Sequence, residues 1–115
     1  MTLPPENELD NREYKKILTN MTNHKSNKYA SQLKSRLING SGIAYYYIGV
    51  EDDGKIAGIP TEIVSEQLSY IRRICKIINA SIQKVEWNKD ETGKNEYGVI
   101  TIKANFQLED LPFIF

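Results

Sequence analysis

The sequence predicts an α+β fold, a two-layer sandwich in which one mixed sheet carries two helices on one face. Two segments repeat apolar residues at helical spacing, and several runs rich in β-branched and aromatic residues end at turn residues. A third observation is the Asp53-Gly54 pair between apolar runs, which is typical of a β-hairpin. The predicted element order is β-α-β-β-α-β-β, and the apolar sheet face needs the helices to cover it.

The first half of the chain supplies one strand and one helix. Residues 1–11 hold two prolines and several acidic residues, and they are predicted as an extended lead-in to a single domain over residues 12–105. The elements predicted next are a strand at 12–18, a polar loop at 20–27 and a helix at 28–39. Tyr29, Leu33 and Leu37 recur at helical spacing in that helix, and Gly40 is a suitable stop.

The second half begins with the hairpin and ends in two further strands. Both positions of an Asp-Gly hairpin turn need positive φ, which favours a two-residue turn at Asp53-Gly54. Pro60, Thr61 and Glu62 suit a helix start, with Thr61 as the cap. The predicted elements are strands at 43–50 and 55–59, a helix ending near residue 80, strands at 81–87 and 97–105, and a polar loop at 88–96. The apolar tail at 106–115 is predicted to enter a following domain.

Composition places the chain among ordinary globular proteins. It has 115 residues, of which 40% are hydrophobic and 26% charged, and its 15 basic and 15 acidic side chains cancel. A single cysteine, Cys75, excludes an intrachain disulfide and suits a reducing compartment. No Cys/His cluster suggests a metal site, and no apolar run approaches a membrane span. We therefore expect a cytoplasmic protein with no membrane partner.

Basic residues are concentrated in one window, since residues 14–50 contain no acidic residue. A cationic helix surface is one way to contact RNA phosphates, and an exposed tyrosine ring can stack on an unpaired base. The candidate RNA-binding residues are Lys15, Lys28, Lys34, Arg36, Arg72, Arg73 and Tyr46. The alternative interpretation is a solvated helix face, with the three consecutive tyrosines at 45–47 packing the sheet.

Several short motifs occur in the same order and at similar spacing in a known family. They are Leu3-Pro-Pro-Glu6, Asn11-Arg-Glu-Tyr-Lys15, Gln32-Leu-Lys-Ser-Arg-Leu37, Gly42-Ile-Ala44, and Ile48-Gly-Val-Glu-Asp52 with Gly54 and Gly58. With these motifs the chain resembles the N-terminal region of the GTP-binding protein 1 and 2 family, the elongation-factor-like translational GTPases. The tail Leu108-Glu-Asp-Leu-Pro-Phe-Ile-Phe115 is similar to the segment that enters the GTPase domain of that family.

The resemblance implies a parent protein that binds and hydrolyses GTP in translation or mRNA turnover. No G-x-x-x-x-G-K-[S/T] motif is present, so GTP and Mg²⁺ are expected only in the parent's GTPase domain and no cofactor is expected in this chain. The implied role is a non-catalytic accessory domain. Its implied partners are tRNA, ribosomal RNA or mRNA, and the adjacent GTPase domain.

A more distant similarity is to Schlafen-type (AlbA-type) domains, some of which cleave RNA with a metal-binding carboxylate cluster. The positions that match this cluster are Glu8, Glu13 and Glu51. Convergent carboxylates can hold Mg²⁺ or Mn²⁺ and activate water for attack on a phosphodiester. A metal-dependent ribonuclease is therefore the alternative function. A third alternative is a protein-interaction module that docks a partner through its open sheet face or its tyrosine patch.

Overall fold

The computed structural model describes residues 2–106 and confirms the predicted α+β class and element order. The elements are β1 (Arg12–Lys15), α1 (Asn23–Asn39), β2 (Ile43–Ile48), β3 (Ile59–Pro60), α2 (Val64–Ile77), β4 (Ala80–Lys89) and β5 (Asn95–Ala104). A short 3-10 turn, Thr61–Ile63, leads into α2. Apart from Phe106, the apolar tail predicted at 106–115 lies outside the described residues.

The sheet is mixed and β5 is at its centre. β1 runs parallel to β2, while β2 and β4 each pair antiparallel with β5. Glu96 of β5 pairs with Lys89 of β4 on one side and with Ile59 of β3 on the other. β3 therefore continues the line of β2, and β4 forms one edge of the sheet.

Both helices pack on the same face of the sheet, as predicted. Because side chains alternate along a strand, the register of β2 with β5 places Tyr46 and Ile48 on one face together with Ile100. The core against this face also contains Leu33 of α1 and Ile71 of α2, all fully buried. Among residues 2–106, no helix lies on the opposite face of the sheet.

The predicted hairpin forms only at its turn. The Gly54 N–H donates to the Glu51 carbonyl and the Glu51 N–H donates to the Lys55 carbonyl, at 2.8 and 2.9 Å. The bond between Glu51 and Lys55 closes a loop of three residues, 52–54, where a two-residue turn was predicted. Within this loop only Gly54 has positive φ, 92°. The predicted strand at 55–59 is confirmed only at its end, where Ile59 begins β3. Only Ile56 bridges back, to Val50, and the chain then turns toward β5.

The boundaries of the first helix and strand also differ from prediction. α1 begins five residues earlier than predicted because the Thr22 side chain accepts the Lys25 N–H and caps it. β1 ends at Lys15, three residues early, because the backbone of Leu18 bonds to a side chain of α2 in place of a strand. Both differences depend on polar contacts that apolar periodicity does not reveal.

The second half shows smaller differences. Thr61 makes no side-chain cap, since the 3-10 turn intervenes before α2. That helix ends at Ile77, where Asn79 adopts positive φ, 55°, and leads directly into β4. β4 and β5 together extend further toward their shared turn than predicted, which leaves a connection of only five residues, 90–94.

Candidate nucleic-acid interface

Arg36 and Glu13 form a buried ion pair between α1 and β1. Each residue is 5% exposed, and Arg36 Nε donates to Glu13 Oε2 at 2.8 Å. Carboxylate oxygens of Glu6 and Asp10 lie 3.7 and 3.5 Å from the other guanidinium nitrogens. The prediction that Arg36 contacts RNA phosphate is therefore corrected, because its charge is buried and compensated within the domain.

The same cluster holds the N-terminal strap, residues 2–10, against the domain. The Leu3 N–H donates to the Gly54 carbonyl, and Glu6 Oε2 accepts the Tyr14 N–H, at 2.8 and 2.6 Å. The Tyr14 hydroxyl donates back to the Pro4 carbonyl at 2.8 Å. Burial, together with repulsion from neighbouring carboxylates, raises the pKa of Glu6. The predicted lead-in is thus extended and packed on the domain.

Lys15 is directed into the protein. Its Nζ donates to Gln32 Oε1 at 2.9 Å, lies 3.5 Å from Glu13 Oε1, and sits 4.3 Å from the centre of the Tyr29 ring. The Lys15 side chain is only 18% exposed. These contacts make it a support for α1, with little of its charge available to a phosphate.

The other predicted basic residues differ in their surroundings. Arg73 is exposed but donates to Asn23 Oδ1 at 2.7 Å and to the Met21 carbonyl at 3.2 Å, which ties α2 to the start of α1. Lys28 and Arg72 are exposed and Lys34 is half-buried. Within residues 2–106 these last three have no ion-pair partner. They are the cations of the predicted set that remain available on the helical side.

Tyr46 lies in the core, so the prediction that its ring stacks on a base is corrected. The residue is fully buried and its hydroxyl has no hydrogen-bond partner in residues 2–106. The alternation along β2 instead directs Tyr45 and Tyr47 to the face without helices, where both are half-buried. The sequence did not identify them because the run 43–48 is apolar or aromatic at every position, so that neither face is distinguishable.

The three carboxylates of the nuclease alternative do not converge. Glu8 and Glu13 line one cleft, which also contains Arg36. Glu51 lines a separate depression, and its carboxylate lies 3.7 Å from Lys16 Nζ. Within residues 2–106 no group of three potential ligands is arranged to hold a metal ion. Glu13 is also occupied by Arg36, so the ribonuclease hypothesis lacks its metal site in the described part of the chain.

One segment comes close to a phosphate-binding loop in sequence. The run Gly49-Val-Glu-Asp-Asp-Gly-Lys55 matches the first seven positions of that motif, but Ile56 stands where Ser or Thr is required. A phosphate-binding loop also leads into a helix, whereas residues 56–60 form no helix and end in β3. The loop carries three carboxylates, which repel phosphate. This segment is a structural turn without the features of a nucleotide site.

Comparison with known proteins finds sequence similarity to part of a GTP-binding protein. The chain is 35% identical over 115 residues to GTP-binding protein 2 of Homo sapiens and of Mus musculus. This chain resembles a segment of GTP-binding protein 2. The alignments cover 95% of the chain but 19% of each relative. The similarity to the GTP-binding protein 1 and 2 family that the sequence predicted is therefore confirmed.

A viral protein shares part of the same sequence. The chain is 40% identical over 86 residues to Uncharacterized protein R625 of Acanthamoeba polyphaga mimivirus, which covers 74% of the chain and 46% of that protein. No protein-family model matches the chain. Among residues 2–106, neither helix has the length and apolar character needed to cross a bilayer.

Proposed function

We propose that this chain is a non-catalytic accessory domain of an elongation-factor-like GTP-binding protein that acts in translation or mRNA turnover in the cytoplasm. The observation that carries the proposal is the coverage: nearly the whole chain aligns, yet it spans about a fifth of the length of GTP-binding protein 2. GTP binding and hydrolysis, with their Mg²⁺, then belong to another part of the parent protein. The turn at 49–55 supports this division, because it lacks the hydroxyl residue and the helix that a phosphate-binding loop needs.

The accessory domain contacts tRNA, ribosomal RNA or mRNA, or the adjacent GTPase domain. On the helical side, Lys28, Lys34 and Arg72 are the predicted cations that can meet phosphates, since they form no ion pair within residues 2–106. Phosphate contacts position a protein on RNA without reading its sequence, and each one releases counterions from the RNA. With an overall formal charge of zero, the chain has no general attraction for RNA, so binding depends on where these few cations lie.

The division of labour is tested by titrating GTP and Mg²⁺ into the 115-residue chain, with the full-length parent as positive control. We expect heat of binding from the parent and none from the chain. Saturable GTP binding by the chain would overturn the non-catalytic assignment.

RNA contact on the helical side is tested by the salt dependence of binding to a ribosomal RNA fragment. Each cation lost should reduce the slope of log K against log salt by about 0.7 to 0.9. Lys28→Ala, Lys34→Ala and Arg72→Ala are the test variants, and Lys94→Ala in the β4–β5 turn is the matched control. Equal slopes for all four variants would exclude the helical surface as the site of RNA contact.

A further inference from the structure

The open sheet face, the side of the sheet without helices, has a defined set of side chains. By strand register it includes the buried Tyr14 and, more exposed, Arg12, Tyr45, Tyr47, Lys84, Glu86, Val99, Thr101 and Lys103. Tyr45 lies opposite Thr101 and Tyr47 opposite Val99 on the two central strands. A shallow depression of about 460 Å³ on this face is lined by both tyrosines and by residues of the neighbouring strands. The centre of the face is therefore aromatic and its borders are charged.

The two tyrosines are held at a fixed spacing. As residues i and i+2 of one strand they stand about 7 Å apart on the same face. The Tyr47 ring packs edge-to-face on Tyr14, with the ring centres 5.1 Å apart, and Tyr14 is anchored by its hydroxyl to the Pro4 carbonyl. The Tyr45 N–H donates to the Asn11 carbonyl at 2.9 Å. Neither ring needs a change of backbone to present its exposed part.

The charges of the face lie at its borders. Arg12 donates to Asp10 at 2.8 Å on the β1 side, and Lys84 donates to Glu86 at 2.8 Å on the β4 side. Lys103 is exposed and has no ion-pair partner within residues 2–106. The face thus carries one uncompensated cation, and the guanidinium of Arg12 keeps a planar surface next to Tyr45, its neighbour in register.

We infer that the open sheet face binds unpaired bases of single-stranded RNA, with Tyr45 and Tyr47 stacking on successive bases. This rests on the proposed function for the identity of the partner as RNA, and it assigns the contact to a different surface from the helical cations. Every base has a π-face, so stacking on a sheet accepts many sequences. A duplex hides those faces within its own stack, which excludes double-stranded RNA as the occupant. Lys103 and Arg12 lie where the sugar-phosphate backbone passes the rings.

The inference is tested with a fluorescein-labelled oligouridylate in a low-salt binding titration with the 115-residue chain. A stacked base is worth about 1–3 kcal/mol, so Tyr45→Ala should weaken binding by about 5-fold to 140-fold. Tyr45→Phe keeps the ring and should bind as tightly as the unsubstituted 115-residue chain. Thr101→Glu leaves both rings in place but adds a carboxylate beside Tyr45, and it should also weaken binding. Circular dichroism confirms that each variant is folded.

The outcomes separate this inference from the proposed function. If Tyr45→Ala and Thr101→Glu bind normally while Lys28→Ala and Arg72→Ala lose affinity, RNA contact stands and the open sheet face is excluded. If neither oligouridylate nor structured RNA binds at low salt, both RNA contact and this inference fail, and a protein occupant of the face takes their place. If the unsubstituted 115-residue chain bound oligouridylate and duplex RNA equally well, the inference that Tyr45 and Tyr47 stack on unpaired bases would also be overturned.

Discussion

The side-chain amide of Gln67 bonds both polar backbone groups of Leu18. Its Oε1 accepts the Leu18 N–H at 2.7 Å, and its Nε2 donates to the Leu18 carbonyl at 2.8 Å. Both residues are fully buried, and they lie 49 positions apart in the chain. Gln67 thus acts in place of a neighbouring strand for the segment that leaves β1 and crosses toward α1. The buried backbone is satisfied without extending the sheet.

Replacing Gln67 with leucine should destabilise the domain strongly. The substitution keeps a similar volume but leaves a buried N–H and a buried carbonyl without partners, each of which costs about 1–3 kcal/mol. We expect the free energy of unfolding to fall by about 3 kcal/mol in urea titrations. Gln83→Leu, on an exposed position of β4, is the matched control and should change it by less than about 0.5 kcal/mol. A small effect of Gln67→Leu would mean that the segment finds other partners.

Loss of Arg36 should also be costly, and its cost should depend on Glu13. Arg36→Met leaves the buried Glu13 carboxylate with only Lys15, 3.5 Å away, as a nearby cation, and breaking a buried ion pair costs about 3–5 kcal/mol in other proteins. The double variant Arg36→Met with Glu13→Gln removes the poorly compensated charge, so part of the stability should return. Urea unfolding of the double-mutant cycle measures the coupling. Arg72→Met is the exposed control, and additive effects at Arg36 and Glu13 would contradict the buried pair.

Tyr46→Phe should stabilise the protein, most clearly at high pH. The buried hydroxyl has no partner, so its removal should raise the free energy of unfolding by about 1 kcal/mol at neutral pH. Burial raises the pKa of Tyr46 well above the usual 10.0, so the hydroxyl ionises more readily in the unfolded chain. As pH rises above 10, ionisation of Tyr46 in the unfolded chain therefore lowers the free energy of unfolding, and the loss continues up to the pKa of the folded state. Phenylalanine does not ionise and avoids that loss.

Urea titrations at neutral and at alkaline pH measure this difference. The gain from Tyr46→Phe should be larger above pH 10 than at pH 7, and Tyr45→Phe on the open sheet face should give little change at neutral pH. A loss of stability in Tyr46→Phe at neutral pH would show that the hydroxyl is hydrogen-bonded in solution.

Cys75 should be unreactive in the folded protein. The thiol is buried in the core, and burial raises its pKa to about 12, so the nucleophilic thiolate is scarce at neutral pH. We expect Ellman's reagent to react slowly with the native chain and rapidly in concentrated urea. A native rate equal to the denatured rate would place the thiol at the surface.

Much of the fold follows from patterns that are local in the sequence. The apolar stripe of α2 and the β-rich run at 43–48 predicted those elements, because burial of one face imposes a period on the side chains. The start of α1 was missed because its first turn is polar and is defined by the Thr22 cap. The prediction of a hairpin at Asp53-Gly54 was only partly right. A tight turn at Gly54 follows from local backbone preference, but the partner of the following strand, β5, lies far along the chain.

The candidate site was less accessible to prediction. Of the seven predicted contacts, Arg36 and Tyr46 are buried, and Lys15 is held by Gln32 and Tyr29. A sequence gives the charge or ring of a residue but not the direction in which it points. Three consecutive tyrosines must alternate across a strand, yet only the helices that cover one side decide which of them is exposed.

The sequence by itself determined the class of fold, the order of its elements and the similarity to GTP-binding protein 2. These depend on periodicity, turn residues and short motifs, all of which are visible in the order of residues along the chain. Only the tertiary structure decided that Glu13 is paired with Arg36, that Glu51 lies apart from it, and that Tyr45 and Tyr47 face outward. Burial and ion pairing join residues that are distant in the chain, and their free energy depends on the surroundings that folding creates.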